Sequence, residues 1–192
     1  MRSISLLVLV ASAVVLWEPV AAQPAECQAR TPTIVGTEAA DTLVGTDGDD
    51  VIVGLGGPDE IRGGGGDDRI CAGAGIDRAF GDEGRDRISG DDSGDRLFGG
   101  EGGDSLFGRP GLDAAFGQGG NDFLTGGEGR DRLTGSAGTD TMFGNNKEDI
   151  LRGKEGRDFL PGGRGRDTAN GGAGLDQCVG ERQFGCEVVE DV

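Results

Sequence analysis

The chain has 192 residues, of which 41 are glycine and 5% are aromatic, and its formal net charge is -17. Chains of this composition bury too little apolar surface to offset the entropy of ordering, so composition alone predicts disorder unless a regular pattern opposes it. The chain has no histidine, which excludes a Ser-His-Asp triad, a Cys-His dyad and a histidine zinc site, and its acidity disfavours nucleic-acid binding.

Residues 1–22 have the pattern of a secretory signal peptide. Arg2 precedes an apolar run from Ile4 to Trp17, and small residues follow at Ala21 and Ala22. A membrane anchor is the alternative, but the run is shorter than the ~20 apolar residues that a transmembrane helix needs. The sequence therefore predicts a secreted, extracellular protein that lacks a membrane span.

Residues 23–35 are predicted to form an N-terminal cap. From Cys27 to Val35 the segment keeps the spacing of the nine-residue repeat that follows, but Pro32 stands where the repeat has aspartate. Ile34 occupies the apolar position of the repeat. Repeat arrays need atypical terminal units of this kind to close their ends.

Residues 36–179 repeat with a period of nine. Sixteen aspartates recur in this register without an insertion: Asp41, Asp50, Asp59, Asp68, Asp77, Asp86, Asp95, Asp104, Asp113, Asp122, Asp131, Asp140, Asp149, Asp158, Asp167 and Asp176. An acidic disordered tail would not hold such a register, so the repeat overturns the prediction of disorder.

Glycine and one apolar residue complete each unit. Glycine stands five residues before the aspartate in all units but that of Ala72, and two residues before it in all but those of Ala39, Ser93 and Lys147. A mostly apolar residue follows two positions after the aspartate, as Leu97 follows Asp95.

This spacing predicts an all-β solenoid. The two glycines permit a tight turn that the aspartate closes, and the next three residues alternate outward, inward, outward as in a strand. One inward side chain in nine residues cannot form a core alone. Stacked units would align these side chains in a continuous row.

The repeat resembles the RTX, or haemolysin-type, nonapeptide family. The segments Gly99–Phe107 and Gly126–Thr134 match the family pattern in full. The resemblance implies a parallel β-roll with two nonapeptides per coil, in which two aspartates and backbone carbonyls on one edge hold each Ca²⁺. The aspartates then form two rows, starting at Asp41 and Asp50, and the gaps between them set a ceiling of about 14 calcium ions.

Four cysteines in an exported chain predict two disulfides, for which three pairings exist. Cys178 and Cys186 are close in sequence and flank the end of the repeat, so we pair them, which leaves Cys27 with Cys71. No cysteine cluster has the spacing of a zinc site. Residues 180–192 are predicted to be an acidic C-terminal tail or cap.

Outward positions carry phenylalanine and arginine in a periodic arrangement. Phe80, Phe98 and Phe116 lie eighteen residues apart and should meet on consecutive coils, as an aromatic ladder or as a stripe for a partner. Five arginines follow row aspartates directly and are interpreted as solvated charges, with anion binding as the alternative: Arg69, Arg78, Arg87, Arg96 and Arg132.

The sequence thus predicts a calcium-binding rod that serves as a structural or interaction module and is not an enzyme. The alternative is a non-catalytic repeat domain, or a small relative, of a secreted protease or lipase. An adhesive or ice-binding face would need a regular threonine ladder, which the outward threonines do not form. The identity of a partner at the cell surface or in the matrix stays open.

Overall fold

In the computed structural model, the described residues are Cys27, 30–179 and 182–186. They form an all-β solenoid of two parallel sheets, so the predicted fold class is confirmed. The predicted signal peptide lies outside the described residues. No helix in the described part of the chain is long and apolar enough to cross a membrane.

Successive strands alternate between the two sheets. Within the described residues, sheet A contains β1 (Ile34–Val35), β3 (Val51–Val53), β5 (Arg69–Ala74), β7 (Arg87–Asp92), β9 (Ser105–Pro110), β11 (Phe123–Glu128), β13 (Thr141–Asn146), β15 (Phe159–Pro161), β16 (Gly163–Arg164) and β18 (Gln177–Val179). Sheet B contains β2 (Thr42–Val44), β4 (Glu60–Gly65), β6 (Arg78–Glu83), β8 (Arg96–Glu101), β10 (Ala114–Gly119), β12 (Arg132–Gly138), β14 (Ile150–Gly156), β17 (Thr168–Ala173) and β19 (Arg182–Phe184).

Paired strands are offset by eighteen residues, so two nonapeptides make one coil. In sheet A, Ile70 pairs with Ile88, and in sheet B, Leu97 pairs with Ala115. Most central strands have six residues and continue past the three expected from the repeat, because the two residues after the glycine also pair with the next coil, as Gln118 does with Ser136.

The core is a thin double row of side chains between the sheets. The strands from β3 to β18, apart from the short β16, each contribute an inward residue, and those from Ile52 to Ala169 are at most 1% exposed. Alanine stands at three of these positions, Ala79, Ala115 and Ala169, so the apolar surface buried per coil is small.

The two ends are closed by different means. Cys27 bonds to Cys71 on the outer face of sheet A, where Val53 and Leu55 pack against the bridge. Cys178 bonds to Cys186, which packs against the last core residues.

The final coil is shorter than the others, which the sequence did not predict. Thr168 in β17 pairs with Arg182 in β19, an offset of fourteen residues. Part of the predicted acidic tail is therefore a strand that continues sheet B.

Phenylalanine rings stack on the outer face of each sheet. Phe80, Phe98 and Phe116 form the ladder on sheet B, with centroids 4.7 and 5.0 Å apart and nearly parallel planes. A second cluster on sheet A was not predicted, because its members alternate between two outward columns: Phe107, Phe123, Phe143 and Phe159.

Truncation of a core residue should destabilise the roll far more than truncation of its outward neighbour. Leu133 is 1% exposed and lies between Ala115 and Leu151 in the core row. We expect Leu133→Ala to lower the free energy of unfolding by about 2–5 kcal/mol, because it leaves a cavity. Urea unfolding in saturating calcium, followed by circular dichroism, measures this loss. The control Thr134→Ala should cost less than about 1 kcal/mol, and equal losses would contradict the assignment of the core.

Candidate calcium-binding edges

The sixteen periodic aspartates lie where the chain enters each strand, and their side chains point inward. Every one except Asp41 is buried, with at most 6% of the residue exposed. Such burial is costly for a carboxylate unless other groups compensate for the lost water. The aspartates are therefore part of the interior along both edges of the roll.

In the row aspartates from Asp59 to Asp176, one carboxylate oxygen joins neighbouring coils. Oδ1 accepts a hydrogen bond from the backbone N–H of the aspartate one coil earlier, as Asp104 does from Asp86 at 2.8 Å. The same bond recurs along both rows at 2.7–3.0 Å. The aspartates thus align in the two rows that start at Asp41 and Asp50.

The second oxygen, Oδ2, is buried without a hydrogen-bond partner in every described row aspartate from Asp59 to Asp176. The first unit of each row differs. Thr37 donates to Oδ2 of Asp41 from both its N–H and its hydroxyl, and Thr46 does the same for Asp50. A repeated buried oxygen without a partner requires a physical explanation, because each costs about 1–3 kcal/mol.

The glycine five residues before the aspartate keeps space beside Oδ2 in every unit except that of Asp77, where Ala72 takes its place. At Gly108, a Cβ atom would stand 2.5 Å from Oδ2 of Asp113 and 2.5 Å from the carbonyl oxygen of Gly126, one coil further on. Because glycine has no side chain, a carboxylate oxygen of one coil can lie close to a carbonyl oxygen of the next coil.

These donors fit a hard cation. Calcium takes six to eight oxygen ligands in flexible geometry, from carboxylates and backbone carbonyls alike. No three acidic or cysteine side chains converge on one point among the described residues. Any site would thus combine the single-file carboxylates with backbone carbonyls, as the family resemblance implies.

Burial raises the pKa of most row aspartates, and neighbouring carboxylates raise several of them further. The pKa is about 6 for Asp68, Asp77, Asp122, Asp131, Asp140 and Asp158, about 7 for Asp86, Asp113 and Asp149, and about 8 for Asp95. The hydrogen bond from the preceding coil lowers each pKa but does not offset burial. In Asp50, by contrast, the N–H of Thr46 holds the pKa below its ordinary value.

A left-handed turn position was missed by the sequence analysis. The residue four before the aspartate has positive φ in most units, as in Gly100 at 120° and Gln118 at 79°. Glycine occupies this position in some units and mostly polar residues occupy it in others, so the sequence pattern does not reveal the left-handed turn. Two departures from glycine at the position two before the aspartate, Ser93 and Lys147, also have positive φ, at 86° and 81°. Both lie on the Asp41 edge, where such backbone is strained for a residue with a side chain.

Comparison with known families agrees with this geometry. The RTX calcium-binding nonapeptide repeat (4 copies) matches residues 33–61, 44–79, 72–106, 80–115, 116–146 and 143–178. A search of curated proteins found no match. Fold and edges together define a calcium-binding parallel β-roll. The chain belongs to the RTX calcium-binding nonapeptide-repeat family.

The two glycines of one turn should respond differently to the same substitution. At Gly63, a Cβ would overlap Oδ2 of Asp68 and the carbonyl oxygen of Gly81, whereas at Gly65 it would meet only ordinary contacts, the nearest at 3.4 Å. We expect Gly63→Ala to weaken calcium binding about tenfold or more, since it fills the space beside the ligand oxygens. Gly65→Ala is the control, and calorimetric titration measures both. Equal affinities would show that the space beside Oδ2 is not part of the site.

Without metal, the roll should be more stable near about pH 5 than near about pH 8. The unfolded chain loses its aspartate protons near 3.8, whereas Asp86 and Asp95 in the fold keep theirs to about 7 and about 8. Between these values the folded state binds more protons, so the free energy of unfolding falls as pH rises. Circular dichroism in EDTA across this range measures the effect. Stability that is constant or increases toward pH 8 would contradict it.

Proposed function

We propose that this chain is an exported calcium-binding module whose β-roll folds when calcium occupies its two edges. The observation that carries the proposal is the row of buried Oδ2 atoms without partners along each edge. Many of these Oδ2 atoms lie near a carbonyl oxygen of the following coil, as between Asp113 and Gly126. Calcium would be held by these two kinds of oxygen, in up to about 14 gaps between consecutive row aspartates.

Coupling between binding and folding follows from the weakness of the roll by itself. The core is thin, and buried carboxylates such as Asp95 oppose folding unless they are protonated or paired. The Oδ1 bonds align the coils but leave Oδ2 unsatisfied. The chain therefore depends on cation binding to compensate for burial, and binding free energy becomes folding free energy.

Export is supported by the cysteines. Both disulfides, Cys27–Cys71 and Cys178–Cys186, close in the structure, and such bonds persist in oxidising compartments. Together with the signal-peptide pattern of residues 1–22, this favours secretion. Extracellular calcium would then fold the chain after it leaves the cell.

The rod would act as a structural or interaction module rather than as an enzyme. All described residues belong to the coils or their two ends, so the alternative of a hydrolase relative gains no support from them. A partner at the cell surface or in the matrix would bind the outward face of a sheet or the edge between the sheets.

Calcium titration of matched charge variants tests the proposal. Asp104 is buried in its row, whereas Glu101 in the same unit is exposed. In EDTA at neutral pH the chain should lack most of its β-structure and gain it cooperatively with calcium. Magnesium should fail, because it requires a smaller octahedral shell and retains its waters. We expect Asp104→Asn to raise the calcium midpoint about threefold or more, and Glu101→Gln to leave it nearly unchanged.

Circular dichroism with calcium and magnesium provides the measurement. A full β-signal in excess EDTA at neutral pH would refute the coupling of folding to calcium. Equal shifts for the two variants would refute the assignment of the row aspartates as ligands, because both remove one negative charge.

A further inference from the structure

The structure divides the five periodic arginines into two groups. Arg69 and Arg87, on sheet A, are half-buried, and the guanidinium of Arg87 lies 4.4 Å from the centroid of Phe107. Arg78, Arg96 and Arg132, on sheet B, are exposed. No ion pair or hydrogen bond joins the guanidinium groups of these three to any described residue.

These three arginines form a file along the roll. Arg78 pairs in register with Arg96, and Ala114 stands between Arg96 and Arg132. Like charges on directly opposed strand positions destabilise a sheet. Glu60 stands in register with Arg78, but its carboxylate is bonded to Arg62 at 3.2 Å, so no described acidic side chain forms an ion pair with the file in this chain of net charge -17.

The file lines a groove of about 860 Å³ that follows the Asp41 edge from Ala40 to Arg132. The groove crosses five spacings between neighbouring strands of sheet B, which gives it a length of about 24 Å. The other wall of the groove is formed by the residues that directly precede the row aspartates. From Ala40 to Leu112 these residues are uncharged. Ile76 and Leu112 in this wall are 71% and 68% exposed. We call this feature the arginine groove.

The other edge lacks this combination. Its groove has a volume of about 360 Å³, and the wall equivalent to Ile76 and Leu112 contains Asp49 and Asp67. Arg85 in that wall is paired with Asp67 at 2.8 Å. A cationic file opposite an apolar wall is therefore confined to the Asp41 edge, although the same repeat builds both edges.

We propose that the arginine groove binds a linear acidic polysaccharide. Guanidinium groups bind carboxylates in bidentate fashion, and a linear polymer can present one such group after another along the rod. The exposed side chains of Ile76 and Leu112 would pack against the apolar faces of the sugar rings. The inference rests on the proposed function, because calcium must neutralise the aspartates at the base of the groove before a polyanion can approach.

The neighbouring aromatic ladder favours a polysaccharide over single-stranded nucleic acid. Nucleic-acid grooves supply aromatic faces on which bases stack. Here the faces of Phe80, Phe98 and Phe116 are stacked on one another, and the guanidinium of Arg62 covers Phe80 at 4.3 Å. These contacts occupy five of the six ring faces, so only the face of Phe116 toward Thr134 would be left for a base beside the arginine file.

The test uses fluorescently labelled oligogalacturonate, short enough to stay soluble, with the full chain in saturating calcium. Arg78→Gln combined with Arg96→Gln should weaken binding by about tenfold or more, as two charge-assisted contacts are lost. The matched control combines Arg69→Gln with Arg87→Gln, which removes the same charge from neighbouring coils of the other sheet. This control should bind within about twofold of the unaltered chain.

Circular dichroism of each protein with calcium comes first and separates the two proposals. Absence of calcium-induced β-structure in the unaltered chain would overturn the proposed function. A folded rod that does not bind oligogalacturonate, or that loses affinity equally in both double variants, would overturn the arginine groove alone. Equal binding of a neutral maltooligosaccharide or of oligothymidylate would also overturn the assignment to an acidic polysaccharide.

Discussion

The buried aspartate is the group on which the rest of the structure depends. Its Oδ1 accepts the backbone N–H of the preceding coil, and its Oδ2 stays inside without a partner, as in Asp104. The first oxygen fixes the offset of eighteen residues between coils. The second makes the fold costly unless a cation or a proton satisfies it. The alignment of the coils and the proposed calcium dependence therefore arise from two atoms of the same side chain.

The terminal units of the roll have no further coil on which to stack, and other contacts take the place of that coil. In the first units, Thr37 and Thr46 donate to the Oδ2 atoms that are otherwise unsatisfied. At the other end, the offset falls to fourteen residues and a disulfide joins Cys178 to Cys186. Local hydrogen bonds and a covalent closure thus replace the stacking partner that terminal units lack.

Outward positions are free from these constraints, so the chain varies there. One repeat produces a stacked phenylalanine ladder on sheet B and a tilted cluster on sheet A. It also produces a charged groove on one edge and a mixed one on the other. The repeated backbone acts as a rod on which each face acquires its own chemistry.

The sequence by itself determined the period and the inward apolar row, because each depends on a residue type recurring every nine positions. Its resemblance to the RTX family implied the parallel β-roll and the two aspartate rows. Only the tertiary structure showed that Oδ2 is buried without a partner. It alone also showed that Gln118 occupies a left-handed position, that no described residue forms an ion pair with Arg78, and that Arg87 lies on Phe107. These features depend on distances between residues of different coils, and a one-dimensional pattern does not contain such distances. The shortened last coil was equally hidden, since the repeat ends before it begins.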